Sequence, residues 1–226
     1  PHYWRARIYD KYNSQGWYSS PLFLQAFDPA LIESPEGEQA QRVRVKHEIR
    51  LNAVTDTLLP AGIPLSSDTP AQLAGRENAP WDVFQVKSML ELHINQRYEI
   101  ESLASVATPE ELRQAGNKYP YWVEENYLQL PRTLPQRVRE LSKEVIRTYS
   151  NPYDKAVAIL EYLKKTYPYS LNIPDPPKGS DGVDYFLFSQ KAGYCDYFAS
   201  AMAVMLRSAG IPARLVVGFA TGEWDE

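Results

Sequence analysis

Cysteine is almost absent from this sequence: Cys195 is the only one in 226 residues. A single cysteine cannot form a disulfide within the chain, so the sequence does not indicate whether the protein works in an oxidising compartment. Histidine is nearly as rare, with His2, His47 and His93 far apart and none later in the chain. These four residues lack the spacing of metal ligands, so the sequence predicts no structural metal and no other cofactor.

Positive charge is not in excess either. The 24 Lys and Arg residues are outnumbered by 28 Asp and Glu residues, which gives a formal net charge of −4. Without a basic cluster, the sequence argues against nucleic acid as a partner. No apolar run reaches the roughly 18 residues that a transmembrane helix needs, and no signal peptide is present. We therefore expect any membrane tether to lie outside these 226 residues.

The first half of the chain has the alternating pattern of β-strands. Apolar residues at every second position predict a strand over residues 4–8 and a longer one over Arg42–Leu51, whose opposite face is charged. Val83–Leu92 and Arg97–Val106 read as two more strands, joined by a turn. Because no convincing helix precedes residue 107, residues 1–116 are predicted to form a β-rich, sandwich-like N-terminal domain.

The connections between these strands are predicted from turn-forming residues. Residues 13–16 should form a turn, residues 28–41 an acidic surface loop, and residues 58–68 a turn-rich connector. His47 falls on the apolar face of its strand, where a histidine is more often a hydrogen-bonded core residue than a ligand or base.

The second half, residues 117–226, is predicted to be a separate domain that begins with helices. Pro135 suits a first helical turn, and apolar residues follow it at helical spacing: Val138, Leu141, Val145 and Tyr149. A second helix is predicted over Tyr153–Tyr167, with an inner face made of Ala156, Val157, Leu160, Leu163 and Tyr167. A long loop follows, and Asp184 is expected to cap a short turn over residues 185–188.

Cys195 lies where an apolar helix is predicted to begin. Residues 199–206 carry no charge, and Gly210 with Pro212 ends the helix. A β-branched strand is expected over residues 213–220. A helix that is apolar on nearly every face should be buried at the centre of its domain.

Two interpretations of Cys195 are open at this point. In one, the cysteine packs as a small apolar side chain. In the other, the first-turn N–H groups and the helix dipole stabilise a thiolate nucleophile, and the same N–H groups hold the oxyanion of an acyl-transfer intermediate. Asp196 argues mildly against the second, since its negative charge disfavours a neighbouring thiolate. Position alone does not decide between them.

The residues around Cys195 form an ordered series of short motifs. In chain order they are Tyr162-Leu163, Tyr167-x-Tyr169, Phe186-Leu187, Gly193-x-Cys195-Asp196-x-Phe198-Ala199, Met205-Leu206-Arg207, Gly210-Ile211-Pro212-Ala213-Arg214 and Val217-Gly218-Phe219. Their order and spacing resemble the transglutaminase-like superfamily of papain-related folds, over roughly Leu128–Glu226. The closer likeness is to bacterial membrane-anchored proteins that carry an extracytoplasmic transglutaminase-like domain.

The resemblance implies both a fold and a chemistry. The fold would be α+β: the β-rich N-terminal domain, then the helical first half of a transglutaminase- or papain-like core, with a buried Cys-bearing helix and a following strand. Cys195 would be the nucleophile of a cysteine acyltransferase that attacks the glutamine side chain of a protein or peptide. The resulting thioester would pass to an amine or to water. A cysteine peptidase or amidase on the same fold, or an inactive module that binds peptide or cell-wall polymer, stays open as an alternative.

Four neighbours of Cys195 are the expected substrate-binding residues. Tyr194 and Tyr197 could line an acyl pocket or simply pack. Asp196 is first a helix N-terminal carboxylate and second a substrate contact. Gly193 would keep the backbone open beside the sulfur, for a tight turn or for substrate approach.

The family's catalytic histidine and aspartate follow the cysteine on later strands. No residue between Cys195 and Glu226 matches either of them. We therefore expect the chain to be a piece of a longer, extracytoplasmic enzyme, and we expect the 226-residue piece alone to be inactive.

Overall fold

The computed structural model describes residues 3–28 and 41–220. The described residues divide into two compact units: the first contains residues 3–9, 19–28, 41–107 and 216–220, and the second contains residues 10–18 and 108–215. The sequence predicted two consecutive domains meeting at residues 116 and 117. The structure instead places the short segment 10–18 with the second unit.

The first unit is built from β-strands. They are β1 (Tyr3–Tyr9), β4 (Phe23–Ala26), β5 (Arg42–Arg50), β6 (Thr55–Leu58), β7 (Ile63–Ser67), β8 (Ala71–Arg76), β9 (Ala79–Leu92), β10 (Arg97–Ser105) and β11 (Leu215–Ala220), the last beginning at the edge of the second unit. They form a four-stranded sheet in the order β4-β8-β9-β6, a three-stranded sheet in the order β5-β10-β7, and a β1-β11 pair. The strands predicted over residues 4–8, 42–51, 83–92 and 97–106 are all present.

One apolar cluster lies between the two larger sheets. Leu58, Leu73 and Val86 enter it from the four-stranded sheet, and Tyr98 and Ile100 enter it from β10. All five are at most 1% exposed. Burying an apolar side chain of this size stabilises a fold by about 1.5–3 kcal/mol, so this cluster holds the two sheets together. The sandwich-like character expected of this part of the chain is confirmed.

The prediction that residues 58–68 form a connector is wrong, because β7 occupies their middle. Its residues pair with β10, with Ile63 opposite Leu103 and Ser67 opposite Ile100. Pro64 suggested a turn, but β7 is an edge strand, where a residue without an N–H donor is tolerated. Of the predicted surface loop over residues 28–41, residues 29–40 lie outside the described residues.

The second unit is mainly helical. Its elements are β2 (Lys11–Tyr12), β3 (Trp17–Tyr18), α1 (Pro109–Gln114), α2 (Tyr121–Tyr127), α3 (Gln136–Ile146), α4 (Pro152–Thr166), α5 (Gly182–Asp184), a π-helix (Tyr185–Gln190) and α6 (Cys195–Ser208). The sequence marks two helix starts clearly: Thr108 and Glu111 form a capping box at α1, and the Asn151 side chain accepts the Asp154 N–H at 2.8 Å. The seven-residue α2 follows Pro120, whose side chain has no polar atom to cap it, and sequence patterns missed this helix.

Helices α3, α4 and α6 surround one apolar core. Val138, Ile159, Leu163, Val204 and Met205 are each at most 1% exposed within it. The predicted inner face of α4 is partly wrong: Ile159 is buried, whereas Val157 and Leu160 are 36% and 38% exposed. Apolar residues occupy every position from 156 to 160, so helical spacing alone could not select the buried face.

The β2–β3 hairpin belongs to the second unit because its hydrogen bonds go there. The Tyr12 N–H donates to Gln129 Oε1 and the Gln129 side chain donates to the Tyr12 carbonyl, each at 3.0 Å. The Tyr12 hydroxyl donates to Asp181 Oδ1 at 2.9 Å. The predicted turn over residues 13–16 is present, with Asn13 Oδ1 accepting the N–H groups of Gln15 and Gly16.

Arg207 joins three distant segments of the second unit from inside its core. The residue is only 3% exposed. Its guanidinium donates to the carbonyls of Ala213 at 2.7 Å, Gln129 at 2.8 Å and Asp10 at 2.8 Å. The guanidinium carbon also lies 4.8 Å from the centroid of the Trp17 ring. Burial lowers the pKa of Arg207 to about 10, so the side chain remains charged at neutral pH.

We expect Arg207→Lys to destabilise the protein by at least about 2 kcal/mol. A lysine ammonium cannot reproduce the planar fork that reaches three carbonyls, nor the stacking on an indole ring. Urea denaturation of the variant measures the loss. Arg147→Lys, at an exposed position next to α3, is the matched control and should change stability by less than about 0.5 kcal/mol. Equal midpoints for the two variants would contradict the structural role of Arg207.

Candidate active site

Cys195 is the first residue of α6, and its side chain is exposed. Burial begins only at Ala201 and continues from Ala203 through Arg207. The prediction of a buried Cys-bearing helix is therefore confirmed for the second half of α6, whereas its first turn reaches the surface. The interpretation of Cys195 as a buried packing residue does not fit this position.

The start of α6 leaves backbone N–H groups available next to the sulfur. Tyr194 has an extended backbone at the N-cap position and its side chain caps nothing. Its carbonyl accepts the N–H groups of Tyr197 at 3.0 Å and Phe198 at 3.2 Å. The N–H groups of Cys195 and Asp196 come earlier in the turn, where helix geometry provides no intrahelical acceptor. Together with the helix dipole, they make this end of α6 favourable for negative charge.

Asp196 supplies one negative charge at this helix end. The Cys195 thiol donates to Asp196 Oδ1 at 3.5 Å, and both side chains are exposed. Its place in the first turn matches the expectation of a helix N-terminal carboxylate.

Gly193 is buried two residues before Cys195. Its N–H donates to the Pro168 carbonyl at 3.3 Å, and its own carbonyl accepts the Ser170 N–H at 2.8 Å. A methyl group at Gly193 would lie 2.8 Å from Tyr197 Cβ and 3.0 Å from Phe186 Cε2. Packing on this side therefore requires glycine, whatever role the residue has toward a substrate.

The two tyrosines beside Cys195 pack against each other. The rings of Tyr194 and Tyr197 are 5.1 Å apart and perpendicular. Burial raises the pKa of Tyr197, and the nearby Tyr194 and Asp175 raise it further. Tyr197 is therefore a neutral hydroxyl at physiological pH. The geometry fits the packing interpretation of these tyrosines and leaves their role in an acyl pocket as a proposal.

An aromatic cluster that the sequence analysis did not recognise runs from the core to the surface at this point. Phe186, 0% exposed, lies within 4.9 Å of the Tyr167 ring, 5.7 Å of Tyr197 and 5.3 Å of Phe198, measured between centroids. Tyr169 stacks on Phe198 at 6.2 Å and is itself 63% exposed. Helical and strand periodicity give no signal for this cluster, because its members come from the α4–α5 region, the π-helix and α6.

Asp181 caps α5, the short helix that precedes the π-helix and Cys195. The prediction that Asp184 caps the turn over residues 185–188 is wrong. Asp181 Oδ1 accepts the N–H groups of Val183 and Asp184, both at 3.0 Å. Asp184 instead accepts two hydrogen bonds from Arg137, both at 2.6 Å. An aspartate followed three residues later by a second acid is a helix-start pattern, which could have identified Asp181 from the sequence.

The described histidines do not join this group of residues in the second unit. His47 lies in β5 of the first unit, where its Nε2 is 2.9 Å from the Leu59 carbonyl and its ring is 4.2 Å from that of Trp4. This confirms its interpretation as a hydrogen-bonded residue on the apolar face. His93 is exposed in the same unit, and residues 94–226 contain no histidine.

Within residues 3–28 and 41–220, no helix combines the length and apolarity that crossing a bilayer needs. Over the same ranges, no three His, Cys, Asp or Glu side chains are grouped as metal ligands.

Comparison with known proteins relates this site to one family. The sequence pattern of the transglutaminase-like superfamily matches residues 139–225, which include the helix bearing Cys195. "Protein-glutamine gamma-glutamyltransferase" from Pseudomonas aeruginosa is 28% identical over 226 residues, covering 98% of this chain and 30% of that protein. "Uncharacterized protein YebA" from Bacillus subtilis is 42% identical over 134 residues, covering 57% of this chain and 18% of that protein.

Solved structures agree with this result. The periplasmic domain of TgpA from Pseudomonas aeruginosa is 26% identical, with a TM-score of 0.69 over 99% of this chain and 70% of that domain. A second structure of that domain, bound to ethylmercury, is 25% identical, with a TM-score of 0.67, and covers 72% of that domain. The fold is thus the α+β fold of a transglutaminase-like domain. Residues 139–225 match the transglutaminase-like superfamily, and the chain spans less than a third of the length of the two curated relatives.

We expect Cys195 to react with iodoacetamide in the native protein, because its side chain is exposed. Peptide mass spectrometry after brief labelling without denaturant should find the modification on the peptide that contains Cys195. Cys195→Ala is the control and should remove the signal. Labelling that needs denaturant would show that the thiol is buried after all.

Proposed function

We propose that the intact protein is a cysteine acyltransferase of transglutaminase type and that Cys195 is its nucleophile. The observation that carries the proposal is an exposed thiol at the positive end of a helix whose other half is buried. The name of the Pseudomonas relative, which aligns over 98% of this chain, supports a glutamine side chain as acyl donor.

The proposed reaction begins with attack of the Cys195 thiolate on the carboxamide carbon. A C–S bond forms, and the N–H groups of Cys195 and Asp196, at the start of α6, are the proposed donors for the resulting oxyanion. The amide nitrogen then takes up a proton, the C–N bond breaks, and the nitrogen leaves as ammonia, which gives the thioester. An amine or water attacks the thioester, which releases the product and restores the thiol.

The proton carrier of this reaction is proposed to be a histidine from another part of the intact protein. Residues 94–226 supply no imidazole, and the chain spans less than a third of its curated relatives. We propose that Gly193, Tyr194, Asp196 and Tyr197 meet the substrate, because they flank Cys195 in the sequence and the Asp196 side chain contacts its sulfur. The periplasmic origin of the TgpA domain supports an extracytoplasmic location, with any membrane attachment through other segments.

Cys195→Ala in the intact protein should lower incorporation of a fluorescent primary amine into a glutamine-containing protein by at least about a thousandfold, since the nucleophile is lost. Fluorescence of the separated acceptor protein measures this. Ser208→Ala, at the far end of α6, is the matched control because its hydroxyl makes no hydrogen bond among the described residues. Full activity of Cys195→Ala would overturn the proposal.

The products of the same assay separate the alternatives. An amine conjugate with release of ammonia indicates a transferase, whereas a cleaved peptide bond indicates a peptidase. Binding of peptide or cell-wall polymer without turnover indicates an inactive module.

The 226-residue chain alone is expected to show no transfer above the background of Cys195→Ala. No histidine follows Cys195 in it, so general-base catalysis by an imidazole, typically about 10²–10⁴-fold, is missing. The amine-incorporation assay on this chain tests the expectation. Turnover that disappears in His47→Ala would contradict it.

A further inference from the structure

Phe186 occupies an unusual place in the second unit: it is fully buried, yet its ring edge faces the backbone that leads into Cys195. Its Cε2 atom would lie 3.0 Å from a methyl group built on Gly193. Tyr197 approaches the same point from α6, with its Cβ at 2.8 Å. The two side chains therefore close tightly over one face of Gly193.

Backbone hydrogen bonds hold Gly193 from the segment that follows α4. Its N–H and carbonyl bond to Pro168 and Ser170, and it forms a parallel bridge with Tyr169. With hydrogen bonds to one segment and rings packed against it, Gly193 has little freedom to move. The start of α6 follows it directly, so the position of Cys195 depends on this contact.

Phe186 itself is held by the π-helix in which it lies. Its carbonyl accepts the Lys191 N–H at 2.9 Å, five residues on, and Lys191 has a left-handed backbone with φ of 54°. The Tyr167 hydroxyl donates to the neighbouring Leu187 carbonyl at 3.1 Å. A π-helical turn contains one more residue than an α-helical turn, and such turns occur frequently at functional sites.

We infer that Phe186 is a positioning residue for Cys195, acting through Gly193 and Tyr197. This inference rests on the proposed function, in which Cys195 is the nucleophile. The ring sets the place of the first turn of α6, and hence the place of the sulfur and of the N–H groups beside it. Misplacing a reacting group by about 1 Å can cost roughly a hundredfold in rate.

The test is Phe186→Leu in the intact protein, measured by amine incorporation. We expect kcat to fall by about 10- to 100-fold while KM stays within about twofold, because Phe186 is buried and positions the nucleophile rather than the substrate. The alkylation rate of Cys195 by iodoacetamide should fall by about threefold or more, since the sulfur leaves its alignment with the helix start.

Ile159→Ala is the matched control. It deletes the same number of side-chain carbon atoms from the same buried cluster. Ile159 lies eight residues before Tyr167 along α4, about 12 Å away on the helix axis. Its loss should lower thermal stability comparably and leave kcat and the alkylation rate within about twofold of wild type.

Gly193→Ala provides a second test that removes no core volume. The added methyl group should displace the start of α6 and lower kcat and the alkylation rate in the same direction as Phe186→Leu. If Phe186→Leu fails to fold, kcat and the alkylation rate of Gly193→Ala alone test the positioning role. Equal kinetic losses in Phe186→Leu and Ile159→Ala, or an unchanged Gly193→Ala protein, would overturn the positioning role.

The two proposals can fail separately. Full transfer by Cys195→Ala would end the assignment of the nucleophile, while the alkylation measurements would still report whether Phe186 positions the thiol. If Cys195→Ala abolishes transfer as expected, but Phe186→Leu changes neither kcat nor the alkylation rate of Cys195, only the positioning role is overturned.

Discussion

The architecture of the second unit depends on one buried cation. The Arg207 guanidinium is removed from water, and a buried charge is tolerated only when its donors are satisfied. Here the acceptors are backbone carbonyls of Asp10, Gln129 and Ala213, which lie far apart in sequence. Because these acceptors are main-chain atoms, the arginine constrains the paths of three segments rather than the identity of their side chains. This constraint explains why residues 10–18 belong with helices that begin a hundred residues later.

Helix α6, which contains Arg207, is constrained at both ends, and Cys195 is its first residue. Arg207 fixes the C-terminal end of α6, whereas Gly193, Phe186 and Tyr197 crowd the backbone just before its N-terminal end. These contacts hold α6, 14 residues long, near both of its ends. Its second half is buried in the core, and its first turn carries the exposed thiol beside N–H groups for which the helix itself provides no acceptor. Stability and the placement of the candidate nucleophile therefore depend on one element.

Local patterns predicted much of this structure. Period-two alternation identified β5, and helical spacing with a proline start identified α3. The predictions failed where tertiary contacts decide the outcome. The two-residue strands of the β2–β3 hairpin are too short to show a period, so nothing in the sequence indicated that they join the second unit. Pro64 suggested a turn because a sequence does not reveal which strand will be at an edge. The aromatic cluster around Phe186 joins segments that no local pattern connects.

Under the proposed function, this constraint on α6 has a chemical reason. A nucleophile and its base must lie within hydrogen-bond reach, about 2.6–3.2 Å, when the substrate reacts. Residues 94–226 hold the thiol but no imidazole, so the two groups would come from parts of the protein that are separate in sequence. Each part must then present its group at a fixed place, because neither can correct an error in the other. A helix start fixed by packed rings and backbone hydrogen bonds meets that requirement on the cysteine side, whereas a flexible loop would not.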